Sequence, residues 1–386
     1  MFSQNVFDKT NSFSTPFYYY DLDLLKQTLE IVKQESEKYN FIVHYAIKAN
    51  ANTEILKSIK SFDLGADCVS GNEIKKAIHC GFSPKNIVFA GVGKSDKEID
   101  TALDADIFCF NCESLQEIEV INELAVSKNK IAKIALRINP NIYANTHKYI
   151  TTGLEENKFG INFSMLEFVL DAMKVLNNTE LIGLHFHIGS QITDMKSFKL
   201  LCFRINEIQN WFENRKVKIE NINVGGGLGV DYDEPDLYRI PDFASYFKLF
   251  NDFLEVRLDQ KVHFELGRSI TAQCGTLISK VLYIKKAVNT NFIILDAGMT
   301  ELMRPALYQA YHKIENLSKR KSIEAEQLKY DVVGPICESS DCFAKGINLP
   351  ETFRGDIIAI RTAGAYGEVM ANDYNLRDRV KAVYSD

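Results

Sequence analysis

The sequence has no long apolar run, few cysteines and no excess of positive charge, and each absence excludes a class of protein. No stretch approaches the roughly 18–20 apolar residues that span a bilayer. The first twelve residues lack the charged and apolar regions of a secretory signal. The net charge of −6 gives no general attraction to nucleic acid or anionic lipid. We therefore expect a cytoplasmic protein that holds any anionic ligand through a local cluster of donors.

The composition is that of an ordinary globular protein, with 46% hydrophobic, 25% charged and 11% aromatic residues. Short β-branched and aromatic runs alternate with amphipathic helical stretches, and eight such runs lie at 41–47, 66–69, 86–91, 106–110, 133–139, 181–189, 221–226 and 262–267. Strands that are apolar on both faces and separated by helices indicate a parallel sheet. Eight of them favour a (β/α)8 barrel, and an open doubly wound sheet is the alternative.

After residue 270 the helical spacers largely disappear, and β-rich runs separated by turn residues predict an antiparallel β-domain. The segment before the barrel contains FYYYD and is predicted to add a strand to either part. We therefore expect an α/β protein with a barrel over 26–270 and a β-domain formed by 1–25 and 271–386.

Eight cysteines in 386 residues are too sparse for a disulfide scaffold and indicate reduced thiols. The spacing Cys109-x-x-Cys112 is also that of thioredoxin-like redox pairs. That motif requires a thioredoxin βαβ context, whereas this pair lies in the middle of the predicted barrel. We interpret both residues as structural thiols.

Barrel enzymes build the active site at the carboxyl ends of the strands, so the polar residues that end the eight runs are the candidates. They are Lys48 and Asn50 at the end of run one, Asp67 in run two, His187 and Ser190 at the end of run six, Gly225, Gly226 and Gly227 at the end of run seven, and Glu265 and Arg268 at the end of run eight. We expect these residues to meet at one mouth of the barrel.

The amine and the glycines of this set suggest a bound aldehyde and a bound anion. Lys48 follows the apolar HYAI, where burial lowers the pKa of an ammonium from about 10.4 and frees the amine for a carbonyl; a solvated surface lysine is the alternative. The 225–227 glycines let backbone N–H groups approach an anion, although they are also compatible with a simple tight turn. Arg268 would add a bidentate guanidinium.

The carboxylate and the imidazole of the set each have two interpretations. A carboxylate inside a barrel mouth must be paired. Glu265 would therefore either form an ion pair with Arg268 or keep a pyridine nitrogen protonated, as pyridoxal phosphate requires. His187 would stack on a cofactor ring or be a core histidine bonded to a carbonyl.

Six motifs occur in the order found in a known family: YAIKAN, HIGSQ, GGGLG, ELGRS, CESSD and GAYG. With these motifs the chain resembles the fold-type III pyridoxal-phosphate decarboxylases over about residues 15 to 375, and HIGSQ with CESSD resembles the diaminopimelate decarboxylases among them. One departure is Leu266, where the family usually has proline, so the strand-eight loop gains a backbone N–H and loses a fixed φ.

The resemblance implies that pyridoxal 5'-phosphate is the cofactor, bound covalently through Lys48. It places His187 on the cofactor ring, Glu265 at the pyridine nitrogen, and Ser190 with the 225–227 loop at the phosphate. The implied cofactor contacts are Lys48, Asp67, His187, Ser190, Gly225, Gly226, Gly227, Glu265, Gly267, Arg268 and Tyr366.

The resemblance also implies that the active site is shared across a head-to-tail homodimer. Cys337, the implied proton donor, and Glu338 would come from the second protomer; from the sequence alone Cys337 could equally be a buried thiol. Asp341 is predicted to support their loop rather than to touch substrate.

Substrate choice should depend on what binds the far end of the substrate side chain. Arg304 and Arg268 would fork around a distal carboxylate, with hydroxyls from Tyr308 and Tyr366, while Glu338 would pair with a distal ammonium. This set fits decarboxylation of meso-2,6-diaminopimelate to L-lysine and CO2. For Arg304 the alternative is a surface or β-domain ion pair.

Three other functions are left open. The first is decarboxylation of another diamino acid, such as ornithine, arginine or carboxynorspermidine. The second is a metal-dependent hydrolase that uses His185, His187 and His263; we expect no metal, because strand seven offers only glycines. The third is a non-catalytic pyridoxal-phosphate carrier, which would not need the CESSD loop.

Overall fold

The computed structural model describes residues 6, 9–10, 12–142, 158–318 and 327–385. The chain divides into two compact units, which we call the barrel unit (Thr28–Gly229 and Asp242–Ile270) and the sheet unit (Met1–Gln27, Val230–Pro241 and Thr271–Asp386). Within the described part of the chain, no helix combines the length and apolar character needed to cross a membrane.

The strands of the described residues follow in chain order. They are β1 Phe17–Tyr20, β2 Ile42–Ala46, β3 Gly65–Cys68, β4 Ile87–Phe89, β5 Cys109–Cys112, β6 Ala132–Arg137, β7 Thr179–His185, β8 Asn221–Asn223, β9 Lys261–Leu266, β10 Gly275–Lys286, β11 Asn291–Leu295, β12 Ile314–Asn316, β13 Gln327–Val333, β14 Cys342–Pro350, β15 Ile357–Ile360 and β16 Lys381–Tyr384.

The α-helices of the same residues are numbered in the same way. They are α1 Leu22–Glu37, α2 Thr53–Lys60, α3 Gly71–His79, α4 Asp96–Asp104, α5 Leu115–Ser127, α6 Leu166–Met173, α7 Met195–Glu213, α8 Phe243–Phe253, α9 Arg268–Thr271 and α10 Arg304–Tyr308.

Strands β2 to β9 form a closed parallel barrel, which confirms the predicted fold. The strands are buried on both faces, as the apolar runs predict; every residue of β3 and of β5 is buried. Local signals set the helix starts: the Ser70 and Ser114 side chains accept the third N–H of α3 and of α5. The barrel closes where β9 pairs with β2, with Tyr45 opposite Leu266.

One barrel strand begins later than the sequence suggests. The fourth run predicts a strand at 106–110, whereas β5 spans Cys109–Cys112. Its first apolar residues belong to the turn that ends α4, in which Ile107 N donates to Ala102 O and Asp106 adopts a φ of 52°. The shift places Asn111 at the carboxyl end of the strand.

The sheet unit contains the predicted β-domain, and its sheet is mixed rather than wholly antiparallel. β10 pairs antiparallel with β1, β11 and β15, whereas β11 pairs parallel with β13 and β1 pairs parallel with β16. The β11 to β13 connection contains α10 and β12, and a long connection of this kind is what a parallel pair requires. The N-terminal segment supplies β1 to this sheet.

Candidate active site

Lys48 lies just beyond the end of β2, in a single helical turn over Ile47–Ala49 whose other two residues are buried. Its Nζ donates to Asp67 Oδ2 at 2.9 Å, from a side chain that is 37% exposed. Asp67 is fully buried in β3, and its Oδ1 has no partner among the described residues. The amine is therefore held at the barrel rim and open to a ligand, unlike a simple solvated lysine.

The pKa of the Asp67 carboxyl is raised by some neighbours and lowered by others. Burial raises the pKa of Asp67 to about 6, with a further rise from the charge of Glu265 and an opposing effect from Lys48. Two protonation states of Asp67 are thus accessible near neutral pH. This carboxyl can control whether the neighbouring amine keeps a charged partner.

Glu265, near the end of β9, accepts three side-chain hydrogen bonds inside the barrel. Its Oε2 accepts from His185 Nε2 at 3.0 Å, and its Oε1 accepts from Asn111 Nδ2 at 3.0 Å and Asn223 Nδ2 at 2.8 Å. Burial alone raises its pKa, but the charge and hydrogen bond of His185, together with Lys48, hold the pKa of Glu265 well below its ordinary value. The carboxylate is therefore ionised and fixed in orientation.

The glycine loop after β8 needs glycine because other backbone segments approach it closely. A Cβ on Gly226 would lie 1.9 Å from the Glu265 carbonyl oxygen, and one on Gly225 would lie 2.3 Å from the Phe186 carbonyl oxygen. Gly225 and Gly227 also have φ of 73° and 106°, which favour glycine. Asn223 joins this loop to Glu265, because its Oδ1 accepts from Gly225 N at 2.9 Å.

Ser190 and Arg268 provide polar groups beside the glycine loop. The Arg268 guanidinium donates to Ser190 Oγ at 3.2 and 3.3 Å. The segment that carries Ser190 packs on the loop, with Ile192 N donating to Gly227 O at 2.9 Å. The alternative of an ion pair between Glu265 and Arg268 is wrong, since the described partners of Glu265 are His185 and two asparagines.

His187 carries a neutral ring. Burial, followed by the charges of Arg137 and Lys48, lowers the pKa of His187 well below its ordinary value. Its Nδ1 accepts from Gly226 N at 3.3 Å, which connects the ring to the glycine loop. A neutral imidazole is suited to stacking on an aromatic ring.

The residues at this mouth fit pyridoxal phosphate. An amine at the rim suits the aldehyde, an ionised carboxylate fixed by three donors suits a protonated pyridine nitrogen, and the glycine loop leaves space that any Cβ would fill. A serine hydroxyl and a guanidinium beside that loop suit a phosphate. Gly267 has the same constraint, because its Cβ would lie 3.0 Å from that of Ala49, next to Lys48.

The other predicted site residues belong to the sheet unit. Cys337 is exposed, so the buried-thiol alternative is wrong. Glu338 Oε1 accepts from the Tyr374 hydroxyl at 2.6 Å. Asp341 accepts from Ile336 N at 2.7 Å and Met299 N at 2.6 Å, as expected of a residue that supports the CESSD loop.

Arg304 is buried at the start of α10, so a surface position for it is wrong. Its Nε donates to His312 Nε2 at 3.3 Å, and its guanidinium lies 5.4 Å from the centre of the Tyr232 ring. Tyr308 lies at the end of α10 and is half-buried. Tyr366 adopts a left-handed φ of 56°, which is unusual for a bulky residue and typical of constrained functional positions.

The sequence reasoning missed Asn111 and Asn223 and considered His185 only as a metal ligand. The available signal was a polar residue near the carboxyl end of a barrel strand.

The alternative of a metal-dependent hydrolase also needs His263, but its Nδ1 is 2.9 Å from His44 Nε2 and its Nε2 is 3.0 Å from Asn221 Oδ1. Both of its ring nitrogens are therefore engaged away from His185.

A family model described as "pyridoxal-dependent decarboxylase, pyridoxal binding domain" matches residues 23–272. This match covers the whole barrel, including every candidate residue at its mouth. It defines the class of the protein as a pyridoxal-dependent decarboxylase.

Comparison with individual proteins identifies the family within this class of decarboxylases. A diaminopimelate decarboxylase of Bacteroides thetaiotaomicron is 56% identical over 380 residues, covering 98% of this chain and 97% of the relative. One from Helicobacter pylori is 43% identical over 95% of this chain and 89% of the relative. A crystal structure of the Helicobacter pylori enzyme complexed with L-lysine superposes with a TM-score of 0.92 at 39% identity, covering 98% and 93% of the two chains. The chain belongs to the diaminopimelate decarboxylase family.

Proposed function

We propose that the protein catalyses the pyridoxal-phosphate-dependent decarboxylation of meso-2,6-diaminopimelate to L-lysine and CO2. The observation that carries the proposal is the ionised Glu265, fixed by three donors in the same barrel mouth as Lys48. When bound, the cofactor supplies a conjugated ring that takes up the electron pair left at Cα as CO2 departs.

The protein's residues bind and orient that group and hold its protons. The Lys48 amine is the attachment point for the cofactor aldehyde, and Asp67 is the carboxylate that keeps the amine at the rim. Glu265 would keep a proton at the ring nitrogen, and the neutral His187 would stack on the ring. Ser190, Arg268 and the glycine loop hold the phosphate.

The sheet unit supplies the residues that recognise substrate. In this proposal Arg304 binds the distal carboxylate, Tyr308 and Tyr366 add hydroxyls, and Glu338 pairs with the distal ammonium. Cys337 delivers the proton to Cα. The exposure of Cys337 and Glu338 supports a homodimer in which one protomer completes the site of its partner.

The substrate assignment is tested by release of CO2 and formation of lysine with purified protein and pyridoxal phosphate. Meso-diaminopimelate should be turned over, and ornithine, arginine and carboxynorspermidine should be at least 100-fold poorer in kcat/KM, because a missing charged partner in a polar site costs about 3 kcal/mol or more. A better rate with any of these three would replace the proposed substrate. No turnover of any of them, with cofactor bound, would favour a carrier.

The role of Arg304 is tested by Arg304→Ala beside Arg239→Ala, which removes a half-exposed arginine of the same unit. Arg304→Ala should raise KM for meso-diaminopimelate at least 10-fold while the visible absorption of the bound cofactor stays unchanged. Normal turnover in this variant would refute the assignment. Arg239→Ala should behave like the wild-type protein.

The shared site is tested by mixing two inactive variants, Lys48→Ala and Cys337→Ser. Random exchange of protomers makes one intact site in each mixed dimer and should restore about a quarter of wild-type activity. No recovery after proven exchange would contradict a shared site.

We also place the protein in the cytoplasm, in line with its eight cysteine thiols, and fractionation of cells tests this location.

A further inference from the structure

The carboxylate of Glu265 has unequal support at its two oxygens. Oε1 accepts from two amides, Asn111 and Asn223, whereas the described donor to Oε2 is the Nε2–H of His185 alone, at 3.0 Å. Both His185 and Glu265 are buried. The His185 imidazole is therefore the described hydrogen-bond donor on which Oε2 of Glu265 depends.

His185 differs from the other buried histidines of the barrel. In His263, both ring nitrogens have partners, His44 and Asn221. In His185 the carboxylate of Glu265 fixes the proton on Nε2, because a carboxylate only accepts, and the buried Nδ1 has no partner among the described residues. A purely structural histidine would be expected to satisfy both nitrogens, since a bare buried polar atom costs about 1–3 kcal/mol.

We propose that His185 is a positioning residue that keeps Glu265 ionised and aimed at the ring nitrogen of the cofactor. This inference rests on the proposed function and deepens it. His185 is at the end of β7, on the far side of β8 from Glu265, so it reaches the carboxylate from a strand that does not carry it. Among the influences on Glu265, burial raises its pKa and His185 is the first to lower it.

The first test uses the protein without cofactor and does not depend on activity. The carboxyl carbon of Glu265 is followed by 13C NMR in glutamate-labelled protein, with its signal assigned by its absence in Glu265→Gln. In the wild-type protein it should stay ionised between pH 5 and 8. In His185→Phe it should titrate within that range, because burial then acts without its main opposing partner.

The second test separates an effect on the ring nitrogen from a general loss of structure. With pyridoxal phosphate, His185→Phe should lower kcat roughly 10- to 100-fold with KM changed less than about 3-fold, the loss expected for a hydrogen bond to a charged group. With a cofactor analogue that has carbon in place of the ring nitrogen, wild type and variant should have equal residual rates. His185→Gln, which restores an amide donor, should recover most of kcat.

The matched control is His263→Phe, the same substitution at a buried barrel histidine that does not bond Glu265. It should leave the Glu265 signal unchanged. His185→Leu replaces His185→Phe if the larger side chain prevents folding. An ionised Glu265 throughout the titration of the variant, or the same fold-loss with the carbon analogue as with the native cofactor, would overturn the inference. Absence of CO2 release by the wild-type protein would instead refute the proposed function.

Discussion

The substitution Gly226→Ala tests how the glycine loop and Glu265 depend on each other. The added Cβ would lie 1.9 Å from the Glu265 carbonyl oxygen, short of an ordinary contact at 3.4 Å by about 1.5 Å. The obstacle is backbone rather than a side chain that can rotate. The end of β9 must therefore move away from the loop, and it carries Glu265.

The size of the effect follows from what this movement breaks. Two backbone hydrogen bonds tie the strand ends together, Glu265 N to Gly225 O at 2.8 Å and Val224 N to His263 O at 2.9 Å. At about 1 kcal/mol each, with about 1–3 kcal/mol for overpacking, the variant should lose about 3–5 kcal/mol of unfolding free energy. A shift of this size also exceeds what the hydrogen bonds to the Glu265 carboxylate tolerate.

Thermal unfolding of the protein without cofactor and titration with pyridoxal phosphate measure the two effects. Gly226→Ala should lower Tm by several degrees and weaken cofactor affinity at least 10-fold. The control is Gly93→Ala, because a Cβ on Gly93 meets no heavy atom within 4 Å. Wild-type affinity and Tm in Gly226→Ala would show that the close approach of the two backbones does not constrain the site.

Three further predictions concern Lys48, Asp341 and two buried histidines. Lys48→Ala should leave no cofactor on the protein after borohydride reduction, and a retained label would place the attachment on another lysine. Asp341→Asn should lower unfolding free energy by about 1–3 kcal/mol, because an amide nitrogen cannot accept from one of the two backbone N–H groups that the carboxylate binds; unchanged urea unfolding would contradict this. Burial lowers the pKa of His44 and the pKa of His263, so the unfolded chain binds protons first below pH 6.5. The free energy of unfolding therefore has its full value above that pH and should fall by up to about 1.4 kcal/mol per pH unit for each histidine as the pH drops. Phenylalanine at both positions should flatten this slope in urea unfolding. The exposed control His79→Phe should leave the slope unchanged.

Much of the barrel mouth could be predicted because parallel strands bring their carboxyl ends to one side. Lys48, Asp67 and Glu265 were predicted together on that basis, and hydrogen bonds or charge interactions connect them in the structure. The sequence marks Asn111 and Asn223 only as polar residues near the carboxyl ends of barrel strands, and their role becomes clear when their amides are seen to meet the Glu265 carboxylate. The site depends on these partners as much as on the charged residues.

The start of one barrel strand and the parallel pairings of the sheet unit could not be predicted from local sequence patterns, because both depend on other segments of the chain. The apolar run at 106–110 does not show that its first residues complete the turn after α4. The parallel pairings of the sheet unit are also nonlocal, since strand composition does not encode which strand a long connection returns to.

The pairing of β1 with both β10 and β16 has a consequence for synthesis of the chain on the ribosome. Residues 17–20 emerge first, yet one neighbour of this strand is made only after residue 274 and the other only after residue 380. All strands of the barrel, by contrast, have been translated by residue 266. The barrel can therefore begin to fold while the nascent chain is still growing, whereas the buried tyrosines of β1 must wait for its last segments.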